Sequence, residues 1–112
     1  MRRMMMIAAT GLLTMAGTAQ AQETNIWSHS FARSESVTVC VERAKNVAFA
    51  LGMKHGSDAS GAWMAREGSP ITTVVRCDLP QMILVITAAP KGYDNRAVNA
   101  EVVAGFRKLA GN

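Results

Sequence analysis

The two histidines and two cysteines are the side chains best suited to metal or redox chemistry, and their spacing fits neither. They stand at His29, Cys40, His55 and Cys77 in a chain of 112 residues. A structural zinc site needs four ligands, usually in closely spaced pairs, and a redox dithiol generally has the form Cys-x-x-Cys. No glycine-rich phosphate loop, paired carboxylates or recognisable Ser-His-Asp arrangement occurs either. The sequence therefore predicts no metal, no cofactor and no catalytic residue, and favours a protein that is not an enzyme.

His29 lies between Trp27 and Phe31 in a segment where every second side chain carries a ring. One interpretation is a ligand or general base on an aromatic face. The favoured interpretation is a partly buried strand residue whose imidazole is hydrogen-bonded, because a single residue is a weak signal for chemistry.

Met53 and His55 place a thioether close to an imidazole, and Met64 and Met82 follow further along the chain. Soft methionine and histidine ligands suit copper(I). Scattered methionines more often fill irregular gaps in a hydrophobic core, and the sequence shows no Met-x-Met or His-x-x-Met cluster. We therefore predict that these methionines are core residues.

A polar segment precedes the last predicted helix, with Lys91, Tyr93, Asp94 and Arg96 close together. The free N–H groups of a helix N-terminus can bind an anion. Capping of the helix by Asp94 in a solvated turn is the favoured interpretation. The candidate ligand contacts of the whole chain are Trp27, His29, Phe31, Lys91, Tyr93 and Arg96.

The first 21 residues have the order of a cleavable signal peptide. Arg2 and Arg3 precede an apolar stretch of 14 residues, 4–17, and Ala19 and Ala21 are small. This basic, apolar, Ala-x-Ala order is typical of secretory signals, and the stretch is shorter than the ~20 residues that span a bilayer. We predict cleavage between Ala21 and Gln22, the general secretory route rather than the twin-arginine one, and a periplasmic or secreted product.

The predicted mature chain, residues 22–112, is nearly neutral. Loss of Arg2 and Arg3 leaves 10 of the 12 basic residues against 8 acidic ones, a net charge of +2. Nucleic-acid-binding proteins usually carry a clustered basic patch, whereas these charges are scattered singly. A second apolar span is also absent from the sequence. We therefore predict one small domain that binds no nucleic acid and has no membrane anchor after processing.

Cys40 and Cys77 are predicted to form a disulfide. Their number is even, and an exported protein meets an oxidising compartment. The bond would close a loop of 37 positions. Two buried free thiols are the alternative.

Periodicity predicts four strands and two helices. Alternation indicates strands, while apolar residues at helical spacing indicate a first helix with Cys40 on its buried face and a last helix with Val98, Val102, Phe106 and Leu109 inside. Glycine, serine and aspartate between residues 54 and 61 predict a loop. The predicted strands are 25–32, 62–67, 71–77 and 82–88, and the predicted helices are 36–52 and a segment from Asp94 or Asn95 to Ala110.

The order β-α-β-β-β-α favours an α+β fold. We predict a two-layer sandwich of a mainly antiparallel four-stranded sheet and two helices. If both helices share one face of the sheet, the other face is open. Thr72, Val74 and Arg76 would lie on that face, beside an apolar strand over 82–88. An exposed apolar stripe is often a contact surface, so a homodimer or a contact with an envelope or extracellular partner is predicted there.

The chain resembles a family of small exported bacterial proteins of unknown function. The shared features are a signal peptide, Cys40 within the first helix, the segment Val75-Arg76-Cys77 ending a strand, and Gly92-Tyr93 leading to a helix with Phe106. The resemblance implies that the cysteine pair and the Gly-Tyr turn are framework features, and it implies no activity.

Two hypotheses about function follow. The first is a non-catalytic binding or interaction module that a disulfide stabilises. The second is a small envelope enzyme, or a redox or metal accessory protein, that uses His29 or the cysteine pair.

Overall fold

The computed structural model describes residues 23–110, with the side chain of residue 110 excepted. The predicted signal peptide and its cleavage residues Ala19, Ala21 and Gln22 lie outside the described residues. Within residues 23–110, neither helix has the length and apolar character needed to cross a bilayer.

Five strands and two helices make up this part of the chain, and the predicted α+β class with an antiparallel sheet is confirmed. Every strand pairs antiparallel with its neighbours, in the spatial order β1-β5-β4-β3-β2. The elements are β1 Thr24–Ala32, α1 Val37–Ala50, β2 Lys54–Ser57, β3 Gly61–Ala65, β4 Thr72–Leu79, β5 Met82–Pro90 and α2 Asn95–Ala110.

The predicted four-strand count and the order β-α-β-β-β-α are wrong. Part of the predicted loop 54–61 is strand β2, which forms a hairpin with β3. The hairpin turn is closed by Asp58, whose Oδ1 accepts the backbone N–H of Ser60 at 2.8 Å and that of Gly61 at 3.1 Å. An aspartate whose side chain accepts backbone N–H groups of the residues after it typically forms a turn. The polar residues that predicted a loop over 54–61 therefore belong to a short strand and a tight hairpin turn.

Helix α1 begins after Ser36, which caps its first turn. The Ser36 hydroxyl accepts the backbone N–H of Val39 at 3.2 Å, which satisfies one of the free donors of the first turn. The helix ends before Gly52, whose φ of 70° lies in the left-handed region that favours glycine. Its buried residues repeat at helical spacing: Cys40, Val41, Ala44, Val47 and Ala48.

Both helices pack against one face of the sheet, which we call the inner face. Helix α1 contacts β2, β3 and β4, α2 contacts β1 and β5, and the helices contact each other. Gly105 of α2 allows the close approach, because a Cβ there would lie 2.9 Å from Cγ1 of Val47. The inner face and the two helices enclose the core, whose largest side chains are Phe106, Met64, Ile83, Val47, Val75, Val85 and Val102.

A buried polar network joins α2 to the sheet. Asn99 is almost fully buried, and its Nδ2 donates to the carbonyl of Val85 at 3.0 Å and to Oγ1 of Thr87 at 3.1 Å. The Thr87 hydroxyl in turn hydrogen-bonds the Thr73 hydroxyl at 2.8 Å. One turn earlier, Asn95 Nδ2 donates to the carbonyl of Asn25 at 3.0 Å. Because unpaired buried polar groups are costly, these bonds fix the position of α2 along β1 and β5.

Candidate functional site

The aromatic strand predicted from the sequence is β1, and its three rings share the inner face. Trp27, His29 and Phe31 lie opposite Thr87, Val85 and Ile83 of β5. Phe31 packs into the core, edge-on to Phe106 with ring centroids 5.8 Å apart. Trp27 is exposed, whereas His29 and Phe31 are half-buried.

Arg96 is brought to the aromatic strand, while Lys91 and Tyr93 form the turn before α2. The Arg96 guanidinium lies over the Trp27 ring, 4.3 Å from its centroid, in a cation–π arrangement. Lys91 Nζ instead lies 3.8 Å from a carboxylate oxygen of Glu23. The exposed Tyr93 contributes backbone bonds to the turn, its N–H donating to the carbonyl of Pro90 at 3.3 Å.

Asp94 caps α2, which accounts for the polar character of this segment. Its Oδ1 accepts the backbone N–H of Ala97 at 3.0 Å. The carboxylate therefore occupies the position in which an external anion would bind.

A groove runs between β1 and α2 at the edge of the sheet, and we call it the edge groove. It encloses a volume of about 540 Å³. Its lining includes Trp27 and His29 from the strand and Ala100, Val103, Ala104 and Arg107 from the helix. Nη2 of Arg107 lies 3.4 Å from Nε2 of His29, so this ring nitrogen faces a guanidinium.

Sequence reasoning missed the helical half of the edge groove. Ala100, Ala104 and Arg107 follow each other at intervals of four and three residues, which places them on one side of α2. That spacing was visible in the sequence. The stronger apolar pattern on this helix is the core stripe, which includes Val98, Val102 and Phe106.

The opposite face of the sheet, which we call the outer face, carries an apolar stripe across β5, β4 and β3, with a serine of β1 beside it. Ser28, Ile86, Val74 and Trp63 are directly opposed neighbours from strand to strand. Val74 is 36% exposed and Trp63 45% exposed. Ile26 of β1, at 66% exposure, extends the apolar surface at one end.

The stripe ends where Trp63 lies against the backbone of Gly56 on β2. These two residues are directly opposed, and a Cβ at position 56 would lie 2.4 Å from Nε1 of the indole. Glycine is thus required for the ring to lie across the edge strand, an arrangement that protects an edge glycine from solvent. A depression of about 600 Å³ opens beside the ring, lined by Asp58, Ser60 and Arg76 among others.

The carboxylates around this depression are held in their charged form. Hydrogen bonds from the backbone and hydroxyl of Ser60, and then from the backbone of Gly61, lower the pKa of Asp58. The side-chain hydrogen bonds from Arg76, at 3.0 and 2.9 Å, lower the pKa of Asp78. A general acid needs a pKa near the working pH, so neither carboxyl is suited to donate a proton at neutral pH.

The predicted disulfide between Cys40 and Cys77 is confirmed. Their Cα atoms lie 5.9 Å apart, and the bond joins α1 to β4. Both residues are fully buried. Thiol–disulfide exchange requires that a thiolate reach one of the sulfurs, so this bond is placed for structure rather than for redox catalysis.

The methionine and histidine side chains considered for copper do not converge. Met53 and Met64 are buried in the core, whereas the exposed His55 has its Nδ1 3.3 Å from the carbonyl of Met53. Across residues 23–110, no three His, Cys, Asp or Glu side chains are grouped so that they could hold a metal ion.

The candidate site in residues 23–110 therefore consists of two surfaces: the apolar stripe of the outer face and the edge groove. Comparison of the chain with protein-family models, with curated proteins and with solved structures finds no match.

Proposed function

We propose that this protein is an exported, non-catalytic interaction module whose outer face pairs with the outer face of a second copy. The observation that carries the proposal is the apolar stripe Ile86–Val74–Trp63 on the sheet face that neither α1 nor α2 covers. Monomeric proteins seldom leave a large contiguous apolar surface open to water, and two sheets can bury such surfaces by packing face to face.

The charges on the outer face favour a second copy as the partner. Arg76, the cation beside the stripe, forms an ion pair with Asp78 at 2.9 Å. Two outer faces therefore meet without concentrating charge of one sign. The low net charge predicted for the mature chain, +2, opposes association little.

The resemblance to small exported proteins and the buried disulfide support export, because disulfides persist in oxidising compartments. We expect the protein purified from the envelope or medium to begin at Gln22. Intact-mass measurement checks this, with and without reduction and alkylation of the unfolded chain. The mass should correspond to residues 22–112 less the two hydrogens lost in one disulfide. A mass that retains residues 4–17, or two thiols alkylated before reduction, would contradict export with an oxidised pair.

Replacing Val74 with glutamate is expected to abolish self-association. The variant places a charge in the centre of the stripe, where a pairing face would bury it without a partner. Sedimentation equilibrium from 1 to 200 µM, concentrations chosen to bracket the about-micromolar Kd of many moderate interfaces, should show a dimer for the native protein. Val74→Glu should be a monomer over the same range.

The matched control is Val39→Glu on α1. Val39 is 48% exposed and Val74 36% exposed, so both changes add one negative charge at an exposed valine. The control should dimerise as the native protein does. A native protein that stays monomeric throughout, or a Val39→Glu variant that dissociates as readily as Val74→Glu, would rule out pairing through the outer face.

A further inference from the structure

Strand β1 is an edge of the sheet with one row of backbone groups directed outward. Among residues 23–110, β5 is its one pairing partner. Backbone bonds from Lys91 to Glu23 at 2.9 Å and from Arg33 to Gln81 at 3.0 Å flank the ladder, and they identify the odd-numbered residues as those that bond β5. The even-numbered residues point their N–H and C=O groups away from the sheet: Thr24, Ile26, Ser28, Ser30 and Ala32.

This edge lacks the usual protection against pairing with another strand. Natural edges are commonly short, charged or interrupted by proline. The opposite edge, β2, follows that rule, since it has four residues and begins with Lys54. Strand β1 has nine residues, Thr-Asn-Ile-Trp-Ser-His-Ser-Phe-Ala, with no proline and no lysine, arginine or carboxylate. Its outward groups are therefore available to a strand of another polypeptide.

The edge groove lies beside the place that an added strand would occupy. Because side chains alternate across a strand, every second side chain of an added strand would point to the inner side. There it would meet Trp27 and the small residues Ala100 and Ala104 of α2, which line the groove. The other side chains would point to the outer side, next to Ile26. Strand addition next to a groove for alternate side chains is an established mode of peptide recognition.

The charge on the groove selects the kind of peptide. Arg107 and Lys108 line the groove, and Arg96 stacks on the ring of Trp27, which also lines it. Among residues 23–110, none of these three cations has a carboxylate within 4.0 Å. Glu101 of the same helix forms a bidentate pair with Arg66, at 3.0 Å for each bond. A second copy bound here would bring three more cations to the three already present.

We propose that the edge groove binds an extended acidic peptide segment of a partner protein, added as a strand to β1. Backbone bonds form to the outward groups of Ile26, Ser28 and Ser30. Glutamate side chains on the inner side lay their CH₂ groups on Ala100 and Ala104 and their carboxylates on Arg96 and Arg107. Apolar side chains on the outer side continue the surface of Ile26. The proposal is independent of pairing through the outer face.

The probe is a fluorescently labelled peptide, acetyl-Glu-Val-Glu-Val-Glu-Val-amide, whose alternation matches the two sides of β1. Fluorescence anisotropy measures its binding, and the same peptide with lysine in place of glutamate is the charge control. Ser28→Pro removes an outward N–H at a position where an edge strand tolerates proline; Ser28→Ala is its control. Arg107→Glu reverses a groove charge, and Lys54→Glu, at the opposite edge, is its control.

We expect the acidic peptide to bind at low salt and the lysine peptide not to bind. Ser28→Pro and Arg107→Glu should each raise the Kd at least tenfold, while both controls leave it within about twofold. Bound peptide should also slow amide exchange at Ile26, Ser28 and Ser30. Circular dichroism shows whether Ser28→Pro folds, and if it does not, Arg107→Glu and the exchange data decide.

Failure of the acidic peptide to bind overturns the proposal. So does equal binding of the lysine peptide, or amide protection on β1 that rises with protein concentration in the absence of peptide, since the last result would place a second copy on the edge. Val74→Glu should bind the peptide as the native protein does, so this test and that of the outer face give separate answers.

Discussion

Replacing Cys40 and Cys77 together with alanine is expected to lower the free energy of unfolding by at least about 4 kcal/mol. The bond closes a loop of 37 positions, and the loop-entropy model assigns such a loop roughly that value. Small domains are stable by only ~5–15 kcal/mol. The loss corresponds to a fall in Tm of roughly 15–30 °C for a domain of this size.

Urea denaturation of three samples separates the covalent contribution from packing. They are the oxidised native protein, the reduced native protein and the double alanine variant. The reduced protein keeps both sulfur atoms in the core, so its difference from the oxidised form isolates the crosslink. The alanine variant adds the loss of two fully buried sulfurs. A reduced protein whose unfolding midpoint equals that of the oxidised form would contradict a stabilising role.

Truncation of Phe106 to alanine should cost about 3–5 kcal/mol, as for other fully buried aromatic residues. Phe106 is fully buried, it packs edge-on to Phe31 of β1, and the Arg43 guanidinium lies 5.1 Å from its ring centroid. The ring thus joins α2, α1 and β1. Its removal leaves a cavity among these three elements, and the disulfide tethers only one of them, α1, to the sheet.

Phe49→Ala is the matched control for Phe106→Ala. Phe49 lies on α1 and is 80% exposed, so the same truncation should change stability by no more than about 0.5 kcal/mol. Phe106→Leu, which keeps most of the volume, should cost less than about 1.5 kcal/mol. Chemical denaturation measures all three variants. Equal losses at positions 106 and 49 would show that the core is not organised around Phe106.

The two helices were predictable because the apolar residues that recur at helical spacing in the sequence are the ones that pack into the core. In α1 the first turn contains Val37, Val39 and Val41, an alternation typical of strands, yet the helical spacing of later residues was the stronger signal. Burial explains why: Cys40, Val41 and Ala44 face the core while Val39 is exposed. A helical periodicity over four turns outweighs the β propensity of three valines.

Strand β2 was missed because its stability comes from a neighbour rather than from its own residues. Lys54-His55-Gly56-Ser57 has no β-branched or apolar residue and contains a glycine. Its pairing with β3 and the indole of Trp63 over Gly56 supply what the segment lacks. Propensity scales describe how well single residues fit a pleated surface. They take no account of an aromatic ring that packs over the segment from a neighbouring strand.

Of the candidate ligand residues, the sequence identified the strand half of the edge groove but not the groove itself. Trp27, His29 and Arg96 were singled out from local patterns. Their relation to Ala100, Ala104 and Arg107 depends on how α2 lies across β1 and β5. The bonds of Asn95 and Asn99 to sheet carbonyls help to set that placement. Such long-range contacts have no local signature, and neither does the fact that β1 is an edge.

The pairing of β1 with β5 has a consequence for the order in which the polypeptide assembles. Thr24 lies opposite Pro90, so the first strand to leave a ribosome or a translocation channel has no partner until residues 82–90 have followed it. The chain between them contains α1, β2, β3, β4 and both cysteines, so both ends of the crosslink are made before the partner of β1. Because contacts between distant residues form slowly, we expect the strand that is made first to pair late, with Trp27 and Phe31 in solvent until β5 and α2 are in place.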